Sequence, residues 1–405
     1  MLLALAGCSG GPAGALPPLT IGAISPLSGP QAPGGKEELA GFEAARTLAQ
    51  RSGIQAGGRL KLQVEDATTP EAASAAVDRL RDRYTVPLIV GTYGSALSAA
   101  ASARAEVRKT VYWETGAVAD QITLGRRYVF RTVATGANLG TEAVDFTARV
   151  LLPRAQLQPA AARAVIVSVD DIYGRSVGDG QAARARELGI NVVDRVNYAA
   201  ASYDAGAIAD RVAADRADYL WDVSYIDDGI AIWQQVLQRH VQLRAAVGTS
   251  SAFCTPDFGR RMGADAVGVF AADKPDAEIK SSALNPEGRA LLEQAKAIYA
   301  GQNAGRSMGI PAVAGFVGGW ALFHDVLPRV SGPITADAIR KAALQVHVPA
   351  RSTINGGGVQ FGPEGSLDQG QNQLAAAVVG QWQGVNRMRV VYPDGYAQAA
   401  ILPAA

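Results

Sequence analysis

The 405-residue chain is predicted to fold as two doubly wound α/β lobes, each built on a largely parallel sheet. Three observations lead there. Short apolar runs alternate with amphipathic stretches along most of the chain, as βαβ units require. The alternation runs twice, in two series of similar size. A chain of this length also exceeds what one ordinary core encloses.

The first series opens at 19–24, a short apolar strand that ends in the Ser/Pro/Gly turn 25–30. Leu39, Phe42, Ala45 and Leu48 then share one face of a helix over 36–51. A strand at 60–65, a helix at 70–84 with proline near its start, a strand at 86–90, a helix at 97–108 and strands at 110–113 and 128–131 complete it. The second series reads helix 139–151, strand 164–169, helix 174–188, strand 191–196, helix 203–214, strand 219–223, helix 229–239 and strand 245–247. Helices at 286–300, 314–330 and 336–346 and strands around 373–383 and 387–391 follow. They are too few for an independent α/β domain, so they complete the lobes already begun. The expected division is a leader and tether at 1–18, a first lobe of 19–136 plus 272–348, and a second of 137–271 plus 349–405.

Composition narrows the function. Hydrophobic residues make up 48% and charged residues 19%, with a formal net charge of +1. No basic stripe exists to meet a phosphate backbone, which argues against nucleic acid. No uninterrupted apolar run reaches the roughly 18 residues of a membrane span. The three histidines, His240, His324 and His347, stand in no HExxH or Cys/His metal spacing. Gly94-Ser95 lacks the glycine spacing of a nucleophile elbow. The glycine-rich stretch 29–36 places its lysine one residue too far for a P-loop, with Glu37 where Ser or Thr is needed. The expectation is a binding protein without catalysis, metal or cofactor.

The start of the chain is apolar and ends in Leu5-Ala6-Gly7-Cys8, followed by a Gly/Pro/Ala/Ser tether. This resembles a bacterial lipobox, whose cysteine is acylated; Cys8 is the residue so implied. Cys254, the other cysteine, has no motif around it and reads as a small buried filler.

Four passages carry a wider resemblance: IGAISPLSGP at 21–30, VGTYGS at 90–95, Phe130-Arg131-Thr132, and FGPEGS at 361–366 followed by VVGQW at 378–382. In this order and spacing the chain resembles the type I periplasmic binding proteins, in particular the leucine/isoleucine/valine-binding branch serving ABC importers. The resemblance covers about 19–403. It implies two Rossmann-like lobes joined by a three-strand hinge, a small-molecule ligand such as an amino acid or related carboxylate or amide, a membrane permease as partner, a monomer, and a place outside the cytoplasm anchored through Cys8. Ligand is expected outside the carboxyl ends of the strands. Ser95, at a helix start, offers a hydroxyl and an N–H to a carboxylate. The neighbouring loop carries Glu114 and Thr115, then Gly116 and Val118, which match the family's carbonyl and hydroxyl donors; Val118 has lost the hydroxyl. On the second lobe Tyr173 and Tyr225 match tyrosines that close over ligand. The family's ammonium-holding acids align with Gly136 and Ser250, and its aromatic lid with Gly34, so the ligand is not inherited with the resemblance. Glu114 is a compensating candidate facing the cleft, or else a structural carboxylate, and Tyr93 lies beside it. A sensor of the same fold, or less readily a hydrolase, stays open as an alternative.

Overall fold

A computed structural model describes residues 19–54 and 60–402. The expected leader and tether, with Cys8, lie outside the described residues. The first sheet contains β1 (Thr20–Ser25), β2 (Lys61–Asp66), β3 (Leu88–Val90), β4 (Val111–Glu114) and β5 (Val129–Arg131). Its order is β2-β1-β3-β4-β5, all parallel. The second contains β6 (Arg163–Val169), β7 (Asn191–Tyr198), β8 (Tyr219–Val223), β9 (Ala245–Thr249) and β10 (Phe270–Asp273). After the short pair β11 (His347–Val348) and β12 (Val359–Gln360), β13 (Val378–Gly384) and β14 (Arg387–Tyr392) join that sheet antiparallel. Its order is β14-β13-β10-β9-β8-β6-β7. The two parallel windings share one pattern, so each lobe has a switch point, between β1 and β3 and between β6 and β8, where the crossovers diverge and leave a crevice.

Local sequence explains the elements. β6 reads AVIVSV after its first residue and is buried along all of it, as a strand covered on both faces must be. The helix Pro70–Tyr84 has Thr69 as its cap, whose Oγ1 accepts the Ala72 N–H at 3.2 Å, with proline in the first turn where no N–H is needed. The helix Ala32–Arg51 begins four residues before the apolar pattern announces it, because Pro33, Gly34 and Gly35 fill its first turn. Its apolar side packs on the helix Ile310–Trp320. The segment Ile310–Arg329 is apolar and long enough to cross a membrane, yet 89% of its apolar window is buried in the first lobe. It is a core helix here.

Three differences from expectation concern the lobe boundaries. β10 and the helix Pro256–Met262 were not foreseen; FAAD is short and alanine-rich, a weak strand pattern. The strand expected from 373 begins at Val378. The segment from 349, assigned to the second lobe, packs on the first: Ile354, Val359 and Phe361 lie in its hydrophobic cluster, and Gln371 bridges to Arg131. The chain therefore passes between lobes after β5, after β10 and after Asn372. Buried Arg131 clamps two of these passages, donating from Nε to Gln371 Oε1 at 2.6 Å and from Nη1 to the Ala119 carbonyl at 2.6 Å.

Candidate functional site

The carboxyl ends of both sheets face one another, and there the lobes touch. Ser176 Oγ of the second lobe accepts the Asp120 N–H at 2.9 Å and donates to Gln121 Oε1 at 3.0 Å. Between the strand ends lies an inner chamber of about 20 Å³, lined from the first lobe by Glu38, Tyr93, Gly116 and the start of the helix Ile310–Trp320. From the second lobe come Ser250, Ser251, Cys254, Thr255, Asp273 and Lys274. An outer vestibule of about 370 Å³ shares Tyr93 and Ser251 with it and carries Tyr203, Tyr225, Asp227 and Asp228.

Glu38 sits on the helix after β1, four residues before Phe42 and so on that helix's buried stripe. Its Oε1 accepts the Thr115 hydroxyl at 2.7 Å, while its buried Oε2 has no hydrogen-bond partner among the described residues. A Cβ at Gly116 would overlap this carboxyl group, so only glycine lets the loop pass so close. Burial first, and the neighbouring Glu114 second, push the Glu38 carboxyl up to about 8. Lys274 Nζ lies 3.0 Å from Asp273 Oδ1 and 3.5 Å from the Gly116 carbonyl, reaching from one lobe to the other.

The structure sorts the residues expected from sequence. Tyr93, Gly116 and Ser250 line the inner chamber and Tyr225 the vestibule. Tyr93 fills the room left at Gly34, where a side chain would overlap its ring. Tyr225 Oη donates to Asp171 Oδ2 at 2.6 Å, and Asp171 Oδ1 also caps the helix Ile172–Leu188, so the ring is held from below. Thr115 acts behind the chamber, on Glu38.

Besides Thr115, four residues stand apart from both cavities. Ser95 Oγ accepts the Ala119 N–H at 3.2 Å and braces the loop after β4. Val118 is packed in the second lobe's hydrophobic cluster. Tyr173 is buried and donates to the Thr249 carbonyl at 2.6 Å. Glu114 faces away from the chamber and is saturated: Oε1 accepts the N–H groups of Gly116 and Ala117 at 2.6 and 2.7 Å, and Oε2 accepts Thr92 N–H at 3.0 Å and the Ser98 hydroxyl. It is the structural carboxylate of the two readings. Burial raises its pKa against these bonds; with three N–H donors it holds charge more readily than Glu38, so a proton shared by the pair rests on Glu38.

Glu38, Asp273 and Lys274 were missed. Lys36-Glu37-Glu38 reads as a solvated charge run, and only the four-residue step to Phe42 betrays the burial. Asp273 and Lys274 end the unforeseen β10. Cys254, taken as filler, is buried and lines the chamber.

Comparison with known proteins agrees with this architecture. A family model for periplasmic binding proteins matches residues 18–398. The Leu/Ile/Val-binding protein homolog 8 of Brucella abortus is 29% identical over 388 residues, 95% of this chain and 93% of that protein. Homolog 7 of Brucella suis is 26% identical over 402 residues, 98% and 97% of the two chains. Among solved structures, the leucine-binding protein LivK of Thermotoga maritima superposes with a TM-score of 0.77 at 17% identity, covering 92% of this chain and 98% of its own. A solute-binding protein of an ABC transporter from R. palustris, in complex with benzoate, gives 0.76 at 17%, covering 95% and 98%. With its whole length matched and two like-wound lobes meeting at their strand ends, the chain belongs to the periplasmic binding protein family, on the type I branch of its Leu/Ile/Val-binding homologues.

Proposed function

We propose that the chain is the receptor of an ABC importer, taking a small polar organic molecule between its lobes and passing it unchanged to a membrane permease. The observation that carries this reading is the polar chamber lined by strand ends of both lobes. The family works outside the cytoplasm. The similar proteins support both the role and the ligand size: Leu/Ile/Val-binding homologues, a LivJ from Streptococcus pneumoniae in complex with isoleucine, and solute-binding proteins in complex with benzoate or 4-hydroxybenzoate.

Capture proceeds by closure about the three passages between lobes. Ligand rests on Tyr93 and Gly116 of the first lobe, and the second then brings Ser250, Asp273, Lys274 and Tyr225 over it. It stabilises the closed form only as far as it binds that form better than the open one. The receptor acts as a monomer. Acylation at Cys8 tethers it beside its permease, two or more chains anchoring firmly where one holds weakly.

The test is a thermal-shift screen against amino acids, benzoates, amides and amines. A ligand at about 100 times its dissociation constant adds about 2.7 kcal/mol of stability, and its chemical form after incubation shows whether it is altered. Conversion of a bound compound into a product would sink the receptor reading.

A further inference from the structure

Charge is unevenly distributed across the two cavities. Glu38 and Asp273 line the inner chamber, and Asp227 and Asp228 the vestibule. Against these four acids the linings hold, among the described residues, one basic side chain, Lys274, already in contact with Asp273. Asp227 and Asp228 have partners of their own, in Arg261 at 2.6 Å and Tyr198 at 2.5 Å. Among the described residues Glu38 has none for Oε2, although the residue is only 4% exposed. A buried acceptor without a donor is costly, and a buried carboxylate without a counter-charge more so.

The dimensions point the same way. An inner chamber of about 20 Å³ holds one water-sized group. An ammonium is of that size and a carboxylate is larger. The vestibule, about 370 Å³, takes an organic body, and its Tyr93, Tyr203 and Tyr225 supply aromatic wall. A carboxylate arriving in the chamber would add a third acid beside a single lysine.

From this arrangement we propose that the ligand is a net cation, a protonated primary amine on a small organic body, with Glu38 as its counter-ion in the inner chamber. This rests on the receptor reading and narrows it, since the charge-bearing group comes from the first lobe's opening helix rather than from positions 136 or 250. The titratable and charged groups around Glu38 are Glu114 and Tyr112 of β4, Tyr93 after β3, Cys254 in the chamber wall, and Asp273 and Lys274 at the end of β10. Burial first, and Glu114 second, outweigh the pull of Lys274 and favour the neutral acid until a cation arrives. Docking an ammonium therefore expels the proton from Glu38 to solvent, and the chamber exchanges a neutral acid for an ion pair.

The experiment is titration calorimetry of the full chain with two matched series: isopentylamine, L-leucine and isovalerate, then phenethylamine, L-phenylalanine and 3-phenylpropionate. Each runs at pH 7 in buffers of different ionisation enthalpy. The expected result is tightest binding by an amine, at least about tenfold over the acid of its series, with release of about one proton per ligand. Glu38→Gln should weaken that amine by about tenfold or more and abolish the proton release. Wild-type proton release needs no variant, so misfolding of the substituted protein leaves the test intact. Tightest binding by a carboxylate or an amino acid, with no proton released, would overturn the cation assignment and leave the receptor reading standing. Failure of every amine to bind would also overturn it, while the broader screen above judges the receptor reading separately.

Discussion

Lys274 Nζ lies 3.0 Å from Asp273 Oδ1, and both side chains are less than a tenth exposed. The same Oδ1 accepts the backbone N–H of Lys274 at 2.8 Å, which locks the pair at the end of β10 just where the chain leaves the second lobe. The ammonium also approaches the Gly116 carbonyl across the lobe boundary. One ion pair thus sits at a strand end, at a passage between lobes and in the chamber wall. Any account of closure has to include what happens when half of it is removed.

Removing Lys274 alone strands a buried carboxylate. Lys274→Ala should therefore cost about 3–5 kcal/mol, whereas replacing both partners with apolar residues of similar volume should be far less damaging. Urea unfolding of the two variants checks this. If the single and double variants lose equal stability, the pair is not held as the geometry indicates.

The raised pKa of Glu38 makes stability depend on pH in a definite direction. Below the ordinary carboxyl value of 4.5 the acid is neutral folded or unfolded, and the fold carries no charge penalty. As pH climbs toward about 8 the unfolded chain ionises freely while the folded one resists, so stability falls across that interval. Glu38→Gln should flatten this slope and melt higher than wild type near pH 8. Melting curves from pH 5 to 9 decide it; parallel slopes for both proteins would show that Glu38 titrates normally.

Much of the fold could be read from the residues, because strands such as β6 and helices such as Pro70–Tyr84 carry uniform apolar patterns and local caps. The site was legible only where a loop motif marks it: Tyr93, Gly116, Ser250 and Tyr225 line the cavities, and all follow strand ends. What escaped was tertiary. Glu38 looks solvated until the second helix of the pair covers it, and Asp273 with Lys274 ends a strand too alanine-rich to announce itself. Ser95, Tyr173 and Glu114 lie outside the cavity linings for a related reason. Each carries the right chemistry beside the cleft, but its polar atoms are already taken by backbone groups that sequence spacing does not reveal.

Ser95 illustrates the difference and gives a test. Its hydroxyl is the acceptor for the Ala119 N–H, and that loop carries Gly116. Ser95→Ala leaves a buried donor without its partner and should cost about 1–3 kcal/mol of stability. Ligand affinity per folded molecule should stay close to wild type. Calorimetry beside a melting curve separates the effects; lost affinity at unchanged stability would return Ser95 to the ligand.

Gly116 and Gly34 both face a side chain that an added methyl would overlap, but the neighbours differ in freedom. At Gly34 the neighbour is the Tyr93 ring, half-buried at the boundary of chamber and vestibule and able to turn toward open space. At Gly116 it is the Glu38 carboxyl, buried, held by Thr115 and enclosed on the far side by the helix Ile310–Trp320. Overpacking at a site that cannot relax costs about 1–3 kcal/mol. Gly116→Ala should therefore destabilise the protein by that amount and weaken capture, because the added methyl competes with the Glu38 carboxyl for the space beside the chamber. Gly34→Ala should cost less and leave capture measurable. Equal losses from the two would mean that Tyr93 is held as rigidly as Glu38, and that the wall between chamber and vestibule does not yield to ligand.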